Sequence, residues 1–299
     1  MRPIPAPRRA DATPMPEGDS HDWVTHPGPV QAARQTLVPC HARHARATLP
    51  KGMTLLDAVA QAVDAEGADG ACAILDGLRL AQMHYVMPDG PADDAHAAWY
   101  SETHRTGGIT LDRATASVGM KDGAWFLHTH AKWTEDAPAM GHLLNDHCTL
   151  AEECTVSLWL LTGARMAVAT DPETNFPLFR PEPRPWQSAP NAALLTIRPH
   201  EDLRPALETA CAGAGFADAT IHGLGSLIGA GFTDAPPMRT PLSEVLLLDG
   251  CRIEDGICRA LPLACVDPVG HLHAGDLARG QGPVLVTFEV LLVASPAQA

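Results

Sequence analysis

Aromatic residues make up only 5% of this 299-residue chain, so its cores must be built mainly from Ala, Leu and Val, within a 45% hydrophobic content that suffices to build them. Positive charge is also scarce: 21 Lys+Arg stand against 35 Asp+Glu, a net charge of −14. A protein that neutralises phosphates needs a basic face, so this balance disfavours nucleic acid as a partner. No run approaches the 18 apolar residues of a membrane-crossing helix. Residues 1–19 carry Pro3, Pro5, Pro7, Arg8 and Arg9 but no apolar core of the kind a secretory leader needs, and a cytoplasmic location is expected. Eight cysteines without such a leader read as reduced thiols rather than a disulfide framework. A Ser-His-Asp motif, a P-loop and a Gly-x-Gly-x-x-Gly fingerprint are missing too, which removes the commonest signatures of hydrolases and nucleotide enzymes.

The chain does contain an internal repeat. Pro50-Lys51-Gly52-Met53-Thr54 leads into an apolar stripe of Leu55, Leu56, Val59 and Val63, with Thr54 placed to cap a helix. Pro199-His200-Glu201-Asp202 leads into Leu203, Ala206, Leu207, Ala210 and Cys211, with Asp202 as the cap and Pro205 in the tolerant first turn. Glycine breaks follow at Gly67 and Gly215, then short apolar strands at 71–75 and 219–221. Asp122-Gly123 and Asp255-Gly256 read as matching hairpin turns. Similar strands close both stretches, Thr155-Val156-Ser157-Leu158 and Thr287-Phe288-Glu289-Val290. The order and near-equal spacing of these landmarks predict two tandem copies of one small domain.

Each copy places one helix early and several hairpin-linked strands after it. That order predicts an α+β, sandwich-like fold whose mostly antiparallel sheet is covered by a helix. The expected organisation is an irregular, disordered segment at 1–44, a first domain at 45–165, a Pro-rich linker at 166–193 and a second domain at 194–293. Pro172, Pro177, Pro181, Pro183, Pro185 and Pro190 make the linker extended and semi-rigid. Gly77 and Gly123 lie farther apart than Gly225 and Gly256, so the first copy carries an insertion, placed at 88–105.

Trp125 to Lys132 read as a strand after a turn, and residues two apart on a strand share a face, so His128 and His130 project together. His142, in Gly141-His142-Leu143, follows one connection later. Three imidazoles leave a position open on a tetrahedral ion such as Zn²⁺, as in catalytic sites, and imidazole also suits other divalent transition metals. In a chain with 15 histidines one His-x-His pair is ordinary. The second copy weighs against accident, because its matching stretches read Leu261-Pro262-Leu263 and Gly275-Asp276-Leu277: the fold does not need the histidines. The second copy's own His271-Leu272-His273 reads as a polar turn. Cys40, His41 and His44 fall among arginines and read as a solvated segment, whereas Cys251, Cys258 and Cys265 read as core thiols.

Through the Pro-x-Gly helix entry at Pro50, the strands around Gly123, His128-Thr129-His130, Gly141-His142-Leu143, Gly225-Ser226-Leu227 and the closing strand at Thr287, the chain resembles the plant-and-prokaryote-conserved domain. That domain is known from plant AT-hook nuclear proteins and single-domain bacterial proteins. The resemblance implies a compact α/β domain, assembly into a homo-oligomeric trimer, and a zinc-type ion on three histidines that map onto His128, His130 and His142. It also brings a DNA-binding label, but the basic Gly-Arg-Pro core of the AT-hook is absent and Arg8-Arg9 and Arg180 to Arg184 are isolated.

The insertion gathers Tyr85, His96, Trp99, Tyr100, Ser101, Glu102, His104 and Arg105 in a chain poor in aromatics. Trp99, Tyr100 and Arg105 are expected to contact a substrate. Glu102 and Asp146 are the candidate catalytic carboxylates beside the metal, among Glu135 and Asp136 as further acids. His147 reads as solvent-exposed, and Glu289 as a buried, hydrogen-bonded structural acid. The expected function is a metal-binding protein acting on or sensing a small polar molecule, as a metal-dependent hydrolase or lyase. The alternatives are a non-catalytic, metal-stabilised ligand-binding module and a DNA-binding regulator.

Overall fold

The computed structural model describes residues 19–90 and 92–295. Its secondary structure is mostly antiparallel sheet with two α-helices among the described residues, α1 at Leu55–Ala65 and α2 at Leu203–Gly213. The α+β expectation therefore holds, with sheet dominating. Thr54 caps α1 by accepting from the backbone N–H of Asp57 at 3.0 Å. Asp202 occupies the N-cap of α2 without a capping bond to the helix. Its carboxylate accepts from Gly282 N instead, which ties the helix start to the strand that follows.

Two ladders of strands carry the fold. In the first half, residues 41–49 pair with Cys154–Thr162, followed in order by Gly70–Ile74, Ile109–Lys121, Ala124–Thr134 and Pro138–Leu143, all antiparallel. In the second half, Ala192–Ile197 pairs with Val284–Ala294, followed by Ala219–Leu227, Glu244–Leu247, Pro262–Val266 and Leu272–Asp276, again all antiparallel. The hairpin that presents the histidines turns at Asp122-Gly123, where φ is +51° and +81°. Two successive left-handed residues form the turn whose twist suits a two-residue hairpin, and Asp-Gly is a preferred pair for it.

Alternation along each strand sorts residues between two layers. Leu127, Ala131 and Trp133 join Leu55, Val59 and Val63 of α1 in one core, while Val245, Leu247, Phe288, Val290 and Leu292 join Leu203 and Leu207 of α2 in another. The opposite faces meet each other. Cys72, Leu161 and Met166 pack with Leu194, Leu291 and Val293, and Met140 packs with Leu224, Leu246 and Val266. The layers thus run helix, sheet, sheet, helix, and the interface between the sheets is where His128, His130, His142, Glu244 and Glu289 are delivered.

Two sequence expectations require correction. Residues 1–18 lie outside the described residues, but residues 35–44, expected to be irregular, open the fifteen-residue strand Gln35–Leu49. Its residues 35–40 pair with Ala192–Ile197 and its remainder with Cys154–Thr162, so one strand serves both halves. The run of Arg43, His44 and Arg46 is polar because those side chains lie toward solvent, whereas Cys40 is fully buried. The segment 166–193 is likewise not a free linker. Ala164–Thr170 and Pro177–Pro183 form an antiparallel hairpin, and its first arm joins the strand Ile109–Lys121 in parallel. Prolines fit there because Pro177–Pro183 is an edge strand with a single pairing partner, so their missing N–H groups interrupt no ladder.

A buried charge network holds this hairpin. Asp171, 2% exposed, accepts from Thr174 N at 3.0 Å, from Arg198 at 2.6 Å and from Arg180 at 2.5 Å. Glu173, 1% exposed, binds Arg34 through two hydrogen bonds of 2.8 and 3.1 Å. Burial alone would raise the Asp171 pKa, but the Arg180 and Arg198 guanidinium groups and the Thr174 N–H outweigh it and lower the value to about 2. A carboxylate whose folded pKa is depressed stabilises the fold above its unfolded value and loses that contribution as pH falls through the folded one. Asp171 should therefore contribute on the order of 1–2 kcal/mol at neutral pH, lost between about pH 4 and pH 2. Asp171→Ala should cost about 3 kcal/mol by stranding two arginines, and melting curves from pH 2 to 7 should show a flatter acid limb for this variant.

Candidate metal centre

His128 and His130 alternate with Leu127, Thr129 and Ala131 on one strand, so core packing of the apolar neighbours forces both imidazoles onto the inner face. His142 joins them from the next strand, where it lies directly opposite His130 in the ladder. The second half contributes Glu244 from the strand Glu244–Leu247, whose Val245 and Leu247 point to the α2 core. One ligand atom from each of His128, His130, His142 and Glu244 lies within 4.8 Å of all the others. Among the described residues this is the group so arranged.

The hydrogen bonds fix which ring atoms face the centre. His128 Nδ1 is 2.8 Å from Glu289 Oε1, and His130 Nδ1 is 2.8 Å from the carbonyl oxygen of Val245. Both partners are acceptors, so each Nδ1 donates and each Nε2 presents a lone pair inward. The two Nε2 atoms are 3.1 Å apart, and Glu244 Oε2 lies 2.7 Å from His130 Nε2. Three acceptors thus converge with no donor hydrogen among them unless an imidazole takes a second proton; a cation satisfies all of them at once. Zn–N bonds of about 2.0–2.1 Å in a tetrahedron put neighbouring ligand atoms about 3.3 Å apart. The donor set and its spacing fit a zinc-type divalent ion. Imidazole ligands whose other nitrogen is held by a carboxylate and by a backbone carbonyl are a recurrent outer shell of such sites.

Electrostatics separate His128 from His142. Burial works against a charged His128, but Glu289, through charge and hydrogen bond, and then Glu244 outweigh it and raise its pKa. His142 has no carboxylate partner; burial, then the neighbouring His128 and His130, hold its pKa well below 6.5. Tyr100 Oη lies 3.3 Å from His142 Nδ1. Beside the centre is a cavity of about 140 Å³ lined by His128, Glu244, Trp99, Tyr100, Phe176, Leu178, Val286 and Thr287, among others.

The expected residues divide cleanly. The three histidines come together, and Trp99 and Tyr100 line the adjoining cavity. They sit on a short hairpin in which Pro88–Asp89 pairs with Trp99–Tyr100, within the segment expected to be an insertion. Arg105 is exposed on a strand opposite His84 and does not line the cavity. Asp146 is exposed and its nearest ionic partner is His147 at 3.7 Å. Glu102 belongs neither to the ligand group nor to the cavity lining; its carbonyl oxygen accepts from Ser101 Oγ. The carboxylates at the centre are Glu244 and Glu289 instead, because strand alternation brings the second half's inner face over the histidines. Glu244 was the residue sequence reasoning missed. Its signal was a single acid in the apolar run Ser243 to Leu248, costly to bury without a partner. Glu289 is buried and hydrogen-bonded as expected, and the bond is to a histidine of the centre. In the second half, Pro262 lies opposite Asp276 as His130 lies opposite His142, and Asp276 binds Arg204 at 2.7 Å. His271 and His273 both approach Asp267.

The His128–Glu289 pair is buried, so removing one partner leaves the other unpaired. His128→Phe and Glu289→Leu should each destabilise by about 3 kcal/mol, and the double variant should cost clearly less than their sum. Urea unfolding of the four proteins measures the coupling.

The chain matches no protein-family profile, and no curated protein matches it. Solved structures do. A metal-containing protein from Archaeoglobus fulgidus aligns at 17% identity and a TM-score of 0.38, over 48% of this chain and 97% of its own. A plant- and prokaryote-conserved protein from Pyrococcus horikoshii aligns at 16% identity and a TM-score of 0.35, over 50% and 97%. A protein from Ralstonia eutropha whose name supposes DNA binding aligns at 18% identity and a TM-score of 0.34, over 45% and 89%.

Proposed function

We propose that the chain holds a divalent transition-metal ion of zinc type on His128, His130 and His142, with Glu244 at the fourth position, and acts there on a small molecule as a hydrolase or lyase. The observation that carries this reading is the convergence of two inward-facing Nε2 lone pairs and a carboxylate oxygen in a buried interface. Such an ion supplies Lewis acidity toward a carbonyl oxygen and acidifies water. The protein's own residues do the rest. Glu289 and the Val245 carbonyl hold the tautomers of His128 and His130. Glu244, which borders the cavity, is placed to give way to a ligand oxygen and to take up a proton at its carboxylate. Tyr100 Oη, beside His142 and over the cavity, is placed to hydrogen-bond a bound ligand. No observation favours nucleic acid, for which a net charge of −14 is unsuited.

The two halves read best as copies of one domain. Their ladders run in the same strand order, each helix follows the first strand of its ladder, and the Pro262–Asp276 pairing stands where His130–His142 does. On this reading the second copy lost the histidines and supplies the carboxylates. The eight unpaired cysteines suit a reducing compartment such as the cytoplasm. Self-association into a trimer, implied by the family resemblance, is a separate proposal: light scattering should give three times the 31.7 kDa chain mass, and a monomer overturns it.

Metal analysis tests the main reading. The purified chain should carry about one equivalent of divalent transition metal, chelation should lower its melting temperature, and His130→Ala should bind none. A bound ion at a thousandfold excess over its dissociation constant stabilises by about 4 kcal/mol. A chain that binds no zinc, cobalt or nickel and melts alike with and without chelator sinks the proposal.

A further inference from the structure

The cavity beside the centre deserves a ligand of a different character from the small polar molecule that the sequence implies. Its walls are apolar and aromatic: Trp99 and Phe176 on one side, Leu178, Leu285 and Val286 on others. His128 and Glu244 of the centre are among its lining residues. Of the hydroxyl residues in the lining, Ser226 and Ser243 are engaged with backbone groups of Val286 and Leu227. Thr287 is 4% exposed, and its Oγ1 has no hydrogen-bond partner among the described residues.

Size narrows the choice. At about 140 Å³ the space is close to the roughly 150 Å³ apolar cavity known to admit benzene. It holds one six-membered ring.

The geometry points to a monocyclic compound, aromatic or alicyclic, bearing a carbonyl or hydroxyl oxygen head. The ring lies against Trp99, Phe176 and Val286, and the head reaches the edge formed by His128 and Glu244. This assignment rests on the metal reading for the head and on the cavity alone for the ring.

The test uses the full chain loaded with Co²⁺ and two probes that share a head, acetohydroxamate and benzohydroxamate, followed by the cobalt visible spectrum and by calorimetry. Benzohydroxamate should bind about 10- to 100-fold more tightly, from burial of its ring. Val286→Trp, which fills the cavity, should erase that preference while metal content stays at one per chain. Trp99→Ala, on the surface hairpin, removes one wall and should reduce the preference even if the first variant folds poorly. Equal affinity for the two hydroxamates in a cobalt-loaded chain overturns the ring assignment and leaves the metal reading standing. Calorimetric binding of benzohydroxamate to a chain that takes up no cobalt overturns the metal reading and keeps the cavity. Binding of neither probe to a cobalt-loaded chain overturns the ring assignment, and a chain that takes up no cobalt overturns the metal reading.

Discussion

Two carboxylates buried between two sheets set the terms for the rest of this molecule. Glu244 and Glu289 are 7% and 2% exposed, on strands whose neighbouring residues are Val, Leu and Phe. Their charges are affordable only where hydrogen-bonding cationic or polar groups meet them, and the groups that do are His130 and His128 of the opposite sheet. The surrounding contacts, such as Met140 with Leu224 and Leu246, are apolar and non-directional. They tolerate sliding. The imidazole–carboxylate contacts do not, since a shift of one residue along any of these strands would turn the polar side chain to the helix side. The register of the two sheets and the geometry of the candidate centre are therefore one and the same constraint.

This arrangement defines the role of the second half. By sequence it looked like a copy that had lost its site, with Pro262 and Asp276 where the first half has imidazoles. In space it closes the first half's site. Val245 donates nothing by its side chain to the centre, yet its carbonyl fixes the tautomer of His130 while its side chain fills the α2 core. A strand with one residue serving both purposes ties helix packing to ligand orientation. The same economy holds along Val284–Ala294, where Phe288 and Val290 pack under α2 and Glu289 between them holds His128.

Much of this was legible in the sequence wherever local rules decide the outcome. The period of two predicts that His128 and His130 share a face, Asp122-Gly123 predicts the turn, and Thr54 predicts the start of α1. What escaped was decided between distant segments. Glu102 and Asp146 lie close to the histidines in sequence, but the strand pairing places Asp146 in solvent and Glu102 outside the cavity lining. Glu244, more than a hundred positions from His130, arrives by sheet stacking, which no local pattern encodes. Prolines at 177, 181 and 183 looked like a linker because an edge strand that lacks N–H donors has the same composition.

The position of the cavity explains why the site draws on three separate parts of the chain. The sheet interface supplies rigid ligands, but stacked sheets pack about 10 Å apart and leave no room for an organic molecule between them. The cavity lies beside the centre, where the hairpin carrying Trp99 and Tyr100 and the residues Phe176 and Leu178 form walls next to Glu244 and His128. Phe176 follows directly on the Asp171 network, whose backbone bond from Asp171 N to the Phe176 carbonyl spans 2.8 Å. The buried charges that anchor the Pro177–Pro183 hairpin therefore also position one wall of the cavity. The segment carrying Trp99 is tied to the same turn: His96 lies with its ring centroid 4.4 Å from that of Trp99 and 4.6 Å from that of Phe176, Asn175 Nδ2 donates to the Ala95 carbonyl at 3.0 Å, and Ala97 and Ala98 pack with Ile228 and Leu285.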